Sequence, residues 1–138
     1  MSADFLDSNV FLYLFDPDVG KQRAAEVLVR DALHGSGVIS FQVVQETLNT
    51  LTRKVAKPLD GHDRQSLLKT VLVPLWKVNP SEDLYARAME IQQRYRYSFY
   101  DSLIIAAALA AGCNRLMSED FQSGQKIETL TIVNPFSG

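Results

Sequence analysis

One cysteine, Cys113, in 138 residues leaves no partner for a disulfide within the chain and no Cys-rich zinc site. Histidine is nearly as scarce: His34 and His62 have no histidine or cysteine at metal-ligand spacing. Long hydrophobic runs are missing. The longest, Leu103 to Ala111, spans nine residues, against roughly 20 for a membrane helix. Met1-Ser2-Ala3-Asp4-Phe5 lacks the basic start and apolar stretch of a signal peptide, so a cytoplasmic protein with no membrane association is expected. No excess of positive charge exists either, since 14 Lys and Arg face 16 Asp and Glu for a net charge of −2. A broad electrostatic grip on nucleic acid is thereby excluded, and any such role must rest on a local patch or a metal. Repeats, low-complexity tracts and Pro/Gly/Ser linkers are absent, which predicts a single domain over 1–138.

What is present alternates between short strand-like runs and longer helical patterns. Asp4-Phe5-Leu6 reads as a first strand, followed by a short helix through Val10 to Leu14 and a turn marked by Pro17 and Gly20. Lys21 to His34 reads helical, with Ala24, Val27, Leu28 and Leu33 on or near one face and Gly35 as its stop. Val38-Ile39 is a buried strand. Phe41, Val44, Leu48, Leu51 and Val55 recur at spacings of three and four, an amphipathic helix whose opposite face carries Gln42, Gln45, Glu46, Asn49 and Arg53. Leu59-Asp60-Gly61 breaks this pattern before a helix over Asp63 to Val73 and a strand over Leu75 to Val78. Ser81 with Glu82 and Asp83 starts a helix that runs to about Tyr95.

Ser98 starts an alanine-rich helix through Ala111, stopped by Gly112; strands follow at Arg115 to Met117 and Thr129 to Val133. Strands alternating with helices predict a three-layer α/β fold with a mainly parallel central sheet flanked by helices. Cys113 reads as a small buried hydrophobe.

In such a sheet, the carboxyl ends of strands and the starts of the following helices share one edge, where ligands bind. The acids sort onto that edge. Asp7 ends the first strand, Glu46 lies in the first turns of the helix after the second, Asp101 opens the alanine-rich helix, and Glu119-Asp120 follow a strand. Each has a blander explanation on its own. Asp7 can cap a helix, Glu46 can sit solvated on a polar face, and Ser98-Phe99-Tyr100-Asp101 is a capping box. Together they repel one another and raise each other's pKa, a penalty that a hard divalent cation removes. Oxygen-only ligation suits Mg²⁺ or Mn²⁺, and the chemistry then open is activation of water and charge stabilisation on a phosphate.

Asp7-Ser8-Asn9-Val10-Phe11-Leu12-Tyr13, Gln45-Glu46, Phe99 to Ala108 and Leu116-Met117-Ser118-Glu119-Asp120-Phe121 resemble, in order and over nearly the whole chain, the PIN-domain ribonucleases. The resemblance is to VapC-type toxins of toxin–antitoxin pairs, and the block around Asp101 is its most specific part. It implies a Mg²⁺-dependent endoribonuclease, with Mn²⁺ as substitute, cleaving RNA through metal-activated water. Asp7, Glu46, Asp101 and Asp120 would be catalytic, with Glu119 as the alternative fourth acid and Asp7 and Asp101 as direct metal ligands. Asp120 is favoured because Ser118-Glu119-Asp120 matches the family's Ser/Thr-x-Asp pattern. Asn9 and Ser118 would give polar support. Ser8 and Ser118 stand where threonine is commoner, and both keep the hydroxyl. A VapB-like antitoxin, an RNA substrate and a homodimer or higher assembly are the partners implied.

Arg94-Tyr95-Arg96-Tyr97 interleaves cations with rings, so Arg94 and Arg96 are candidate RNA contacts, although a helix end facing its dipole explains the same residues. Arg53, Lys54 and Lys57 form a second small basic patch. Two rival functions remain open at this level. One is a non-catalytic PIN-like module that binds RNA or protein. The other is an aspartate-based phosphoryl-transfer domain, which fits poorly because Asp7-Ser8-Asn9 is not the Asp-x-Asp of such phosphatases.

Overall fold

The structure, a computed structural model, describes residues 3–53 and 60–137. Lys54, Val55, Lys57 and Leu59, like Met1 and Ser2, lie outside the described residues. Six strands form the sheet: β1 (Asp4–Leu6), β2 (Gly37–Ser40), β3 (Trp76–Val78), β4 (Arg115–Met117), β5 (Lys126–Ile127) and β6 (Leu130–Val133). Their spatial order is β3-β2-β1-β4-β6-β5, parallel throughout except for the antiparallel β5–β6 hairpin. The helices are α1 (Ser8–Leu12), α2 (Val19–His34), α3 (Phe41–Arg53), α4 (Gly61–Leu67), α5 (Val73–Leu75), α6 (Glu82–Tyr95) and α7 (Phe99–Ala110). A 3-10 turn over Tyr13–Phe15 extends α1, and a π-helical stretch, Leu68–Leu72, links α4 to α5. The α/β architecture expected from the alternating pattern is therefore present. Among the described residues no helix is long and apolar enough to cross a membrane.

The central strands are apolar because helices cover both faces of a parallel sheet. Phe5, Ile39, Leu116 and Ile132 are fully buried. α7 carries an unbroken buried stretch from Ser102 to Ala108, and its small alanines let the helix lie close to its neighbours. α6 packs along it through Leu84, Ala88 and Ile91, spaced four and three, and leaves Tyr85 and Met89 exposed. Gly37 is required where β2 meets α2: a Cβ there would stand 2.3 Å from the Ala32 Cβ. Gly112, at φ +73°, turns the chain out of α7 in a conformation that glycine adopts without strain. Arg115 forks onto Asp4 with bonds of 2.8 and 2.6 Å, pinning the starts of β1 and β4 in register.

Four local expectations need correction. Gly20 lies inside the first turn of α2, because Asp18 caps that helix from two residues earlier by accepting the Gly20 and Lys21 amides. The buried stripe of α2 is Ala25, Val29 and Ala32, while Val27 and Leu33 are exposed. The apolar surplus of that helix hides which face wins, and contact with β2 decides it. Gln42 is buried rather than on a solvated face, since α7 covers it. The strand β5 was not foreseen; two residues offer no period to read.

Candidate active site

Strand register assembles the site. Leu6 pairs with Met117, so the next residues, Asp7 and Ser118, leave the sheet side by side. The Asp7 amide still donates to the Met117 carbonyl at 3.0 Å. Beyond it Asp7 turns into the cap of α1, where its Oδ1 accepts the Ser8 amide at 2.7 Å. The Ser118 hydroxyl donates to Asp7 Oδ2 at 2.7 Å. The same Ser118 oxygen accepts the Asp120 amide at 3.1 Å and the Asn9 Nδ2 at 3.3 Å. Asn9 Nδ2 also donates to Asp120 Oδ2 at 3.2 Å, while Asn9 Oδ1 is buried and has no partner among the described residues. Asn9, Ser118 and Asp120 thus form a closed hydrogen-bonded ring at the ends of β1 and β4, with Asp7 joined to it through Ser118.

The other two acids come from helices. Ser98 caps α7 by accepting the Asp101 amide at 3.1 Å, which sets Asp101 in the first turn. Glu46 stands on α3, one turn after Gln42. The buried Gln42 amide donates from Nε2 to the Tyr100 carbonyl at 3.1 Å and so ties α3 to the start of α7.

The electrostatics show that the four acids share one field. Burial raises the Asp7 carboxyl from 3.8 to about 6; the Ser118 and Ser8 bonds oppose this, and the charges of Asp120 and Asp101 add to it. Glu46 rises from 4.5 to about 7, first through loss of hydration and then through the charge of Asp7, with smaller pushes from Asp101 and Asp120. Asp101 is raised as well, by burial and by Asp120, against the Ser98 bond. Like charges held this close favour protonation of one another or capture of a cation.

Asp120 and Glu119 part company. Asp120 joins the ring with Asn9, whereas Glu119 accepts the Tyr13 hydroxyl. Lys21 sits 4.9 Å from the Tyr13 ring centre and donates to its hydroxyl at 3.4 Å. Tyr13, Lys21 and Gln42 are site neighbours that the sequence reading did not single out. For Gln42 a signal exists, four residues before Glu46 on the same helix, but Tyr13 meets Glu119 only through folding. Arg94 lies 5.7 Å from the Tyr95 ring, and Arg96 caps α6 with a left-handed φ of 63°. His34 bonds the Arg30 carbonyl through Nδ1 at 2.8 Å, as a helix-end residue does, and His62 is an exposed residue of α4. Cys113 is buried, and burial pushes its thiol up to about 11, an inert state.

A cleft of about 730 Å³ lies toward the other end of α7, bordered by Val38, Lys77, Arg87, Ala110 and Glu128, and contains none of the four acids. The donors at the acidic edge are all oxygen, the type hard divalent cations take. Among the described residues no group of three or more His, Cys, Asp or Glu side chains is placed to hold a metal ion by itself. The set suits a cation that keeps several waters and takes one or two carboxylates directly, and the unpartnered Asn9 Oδ1 is an acceptor such waters would fill.

A family model described as PIN domain matches residues 5–123. No curated protein matches the chain in sequence. Among solved structures, a toxin–antitoxin complex from Klebsiella pneumoniae is 19% identical over 96% of this chain and 98% of that one, with a TM-score of 0.70. VapC20 of Mycobacterium tuberculosis, described as a sarcin-ricin loop cleaving toxin, is 21% identical over 85% and 89%, with a TM-score of 0.61. VapBC2 of Rickettsia felis, bound to a promoter DNA fragment, is 18% identical over 94% and 96%, with a TM-score of 0.62. These likenesses establish a shared fold.

Proposed function

The chain belongs to the PIN-domain family, and on that premise we propose that it is a Mg²⁺- or Mn²⁺-dependent endoribonuclease, the toxin of a toxin–antitoxin pair. The observation that carries this reading is the hydrogen-bonded meeting of Asp7, Asn9, Ser118 and Asp120 at the ends of β1 and β4, with Glu46 and Asp101 contributing charge to the same rim. Asp7 and Asp101 would be the direct ligands of that cation. Ser8 and Ser118 hold the Asp7 carboxylate in one orientation, and Ser98 fixes the backbone of Asp101. Glu46 and Asp120 flank them as acceptors for the water that attacks phosphorus. Asn9 aligns Asp120. Bound there, the cation acidifies water and meets the charge that builds on the phosphate.

The partner follows from the same charge. Four acids on one rim suit an arginine fork from an antitoxin segment lying over the pocket, and the toxin–antitoxin complexes among the structural neighbours support such a partner. The protein then acts in the cytoplasm, as one domain over 1–138 and as a dimer or a higher assembly with its antitoxin.

End-group analysis of a defined RNA tests the activity. Wild type with Mn²⁺ is expected to leave 5′-phosphate and 3′-hydroxyl ends, EDTA to stop cutting, and Asp7→Asn to be inactive. A 2′,3′-cyclic phosphate produced by wild type in EDTA overturns the mechanism. A co-purified antitoxin complex with full nuclease activity overturns occlusion of the pocket.

A further inference from the structure

Four carboxylates line the rim and the chain's net charge is −2, so an RNA backbone finds little general attraction here. Grip on the substrate has to come from particular groups beside the acids. Tyr100 is peptide-bonded to Asp101 and, at 69%, is the most exposed large hydrophobic side chain among the described residues. Its hydroxyl has no partner among the described residues, so no hydrogen bond accounts for the ring's exposure.

The ring is nevertheless held. Phe99 meets it edge-on, with centroids 5.6 Å apart and planes at 74°. Phe99 in turn lies nearly parallel to Tyr85, at 6.4 Å and 19°. The Tyr100 backbone is clamped by the buried Gln42 amide, and the Ser98 cap sets the turn that carries it. An exposed aromatic residue therefore directly precedes one of the two acids assigned to the cation, in the first turn of α7. Arg94 and Arg96, on the last turn and cap of α6, are exposed and have no carboxylate partner among the described residues.

We propose that Tyr100 is a base-stacking subsite: its exposed surface takes the nucleobase next to the scissile phosphate, with Phe99 and Tyr85 as its buttress. The proposal rests on the ribonuclease reading above. Stacking is tolerant of base identity, since every base has a π face, and it adds affinity where phosphate contacts are few. The subsite orders the strand across the acids and contributes little sequence preference.

The test uses the full chain carrying Asp7→Asn, which binds without cutting, and a short single-stranded RNA labelled with 2-aminopurine, whose fluorescence falls on stacking. Tyr100→Phe is expected to keep both the quench and the affinity. Tyr100→Ala is expected to lose the quench and about tenfold in Kd, with an unchanged melting temperature. In the cleaving protein, Tyr100→Ala is expected to raise KM by more than it lowers kcat and to leave the Mn²⁺-induced melting shift intact. Wild-type Kd and quench in Tyr100→Ala overturn the subsite. So does a loss of dimer in light scattering on Tyr100→Ala, which assigns the ring to a second copy. If wild type with Mn²⁺ leaves RNA uncut while the quench still depends on Tyr100, the nuclease reading falls and the stacking subsite stands.

Discussion

The Ser118 hydroxyl donates to Asp7 Oδ2 at 2.7 Å across 111 residues of chain. The Ser118 Oγ is also the acceptor for the Asp120 amide and the Asn9 side chain, so three groups of the site converge on one serine. Ser118→Ala removes the hub. Asp7 then loses the bond that most opposes its raised pKa, and cation affinity is expected to fall about 10–100-fold, as for other groups that orient ligands. Ser118→Thr keeps the hydroxyl and is expected to stay near wild type. Calorimetric Mn²⁺ titration of both variants checks this, and equal losses in the two would assign the effect to packing.

Asp7→Asn is expected to abolish cleavage and yet stabilise the cation-free protein at neutral pH. The carboxylate is 4% exposed, and its pKa is raised to about 6. Ionising it in the fold therefore costs about 3 kcal/mol relative to the unfolded chain. The asparagine carries no such charge. Melting curves in EDTA should place the variant above wild type, and added Mn²⁺ should shift the variant little.

The same shift sets a pH dependence. The folded, cation-free protein binds the Asp7 proton more tightly than the unfolded chain does. Its contribution to stability is fully present below the ordinary aspartate range and is lost as pH rises through about 6. Glu46 and Asp101 are raised too and act in the same direction. Melting temperature in EDTA is expected to fall between about pH 4 and pH 8. Saturating Mn²⁺ should flatten or reverse the slope, because a cation favours the ionised carboxylates. A rise in EDTA over this range contradicts the shared acidic field.

Asp120 and Glu119 are expected to differ in kind. Asp120→Asn removes a charge from the ring and should cost activity and cation affinity together. Glu119→Gln keeps an oxygen for the Tyr13 hydroxyl and should leave both close to wild type. Side chains of consecutive residues after a strand leave in different directions, so large equal losses are the outcome the geometry does not allow. Single-turnover cleavage rates and Mn²⁺ titrations of the pair decide it.

Much of this was legible because its causes are local. Ser81 and Ser98 sit before acidic first turns, and the helices begin where those caps stand. The threes-and-fours spacing from Phe41 to Leu51 identified α3 correctly, and the short runs Asp4–Leu6 and Arg115–Met117, each two apolar residues after a charged one, became neighbouring strands. Gln42 was misread for the opposite reason. A polar residue beside a hydrophobic stripe looks solvated until another helix covers it, and the covering residue, Tyr100, is 58 positions away.

The amino-acid sequence by itself determined the alternation of the main strands and helices, the Ser81 and Ser98 caps, and the set of acids at strand ends and helix starts. These follow from side-chain period, capping hydroxyls and charge, which act over a few residues. Only the tertiary structure decided which acids face one another. Pairing of Leu6 with Met117 brings Asp7 to Ser118, and the turn after β4 sends Asp120 to Asn9 and Glu119 to Tyr13. Strand register is set by packing across the whole sheet, and a shift of one residue would turn each of these side chains to the other face.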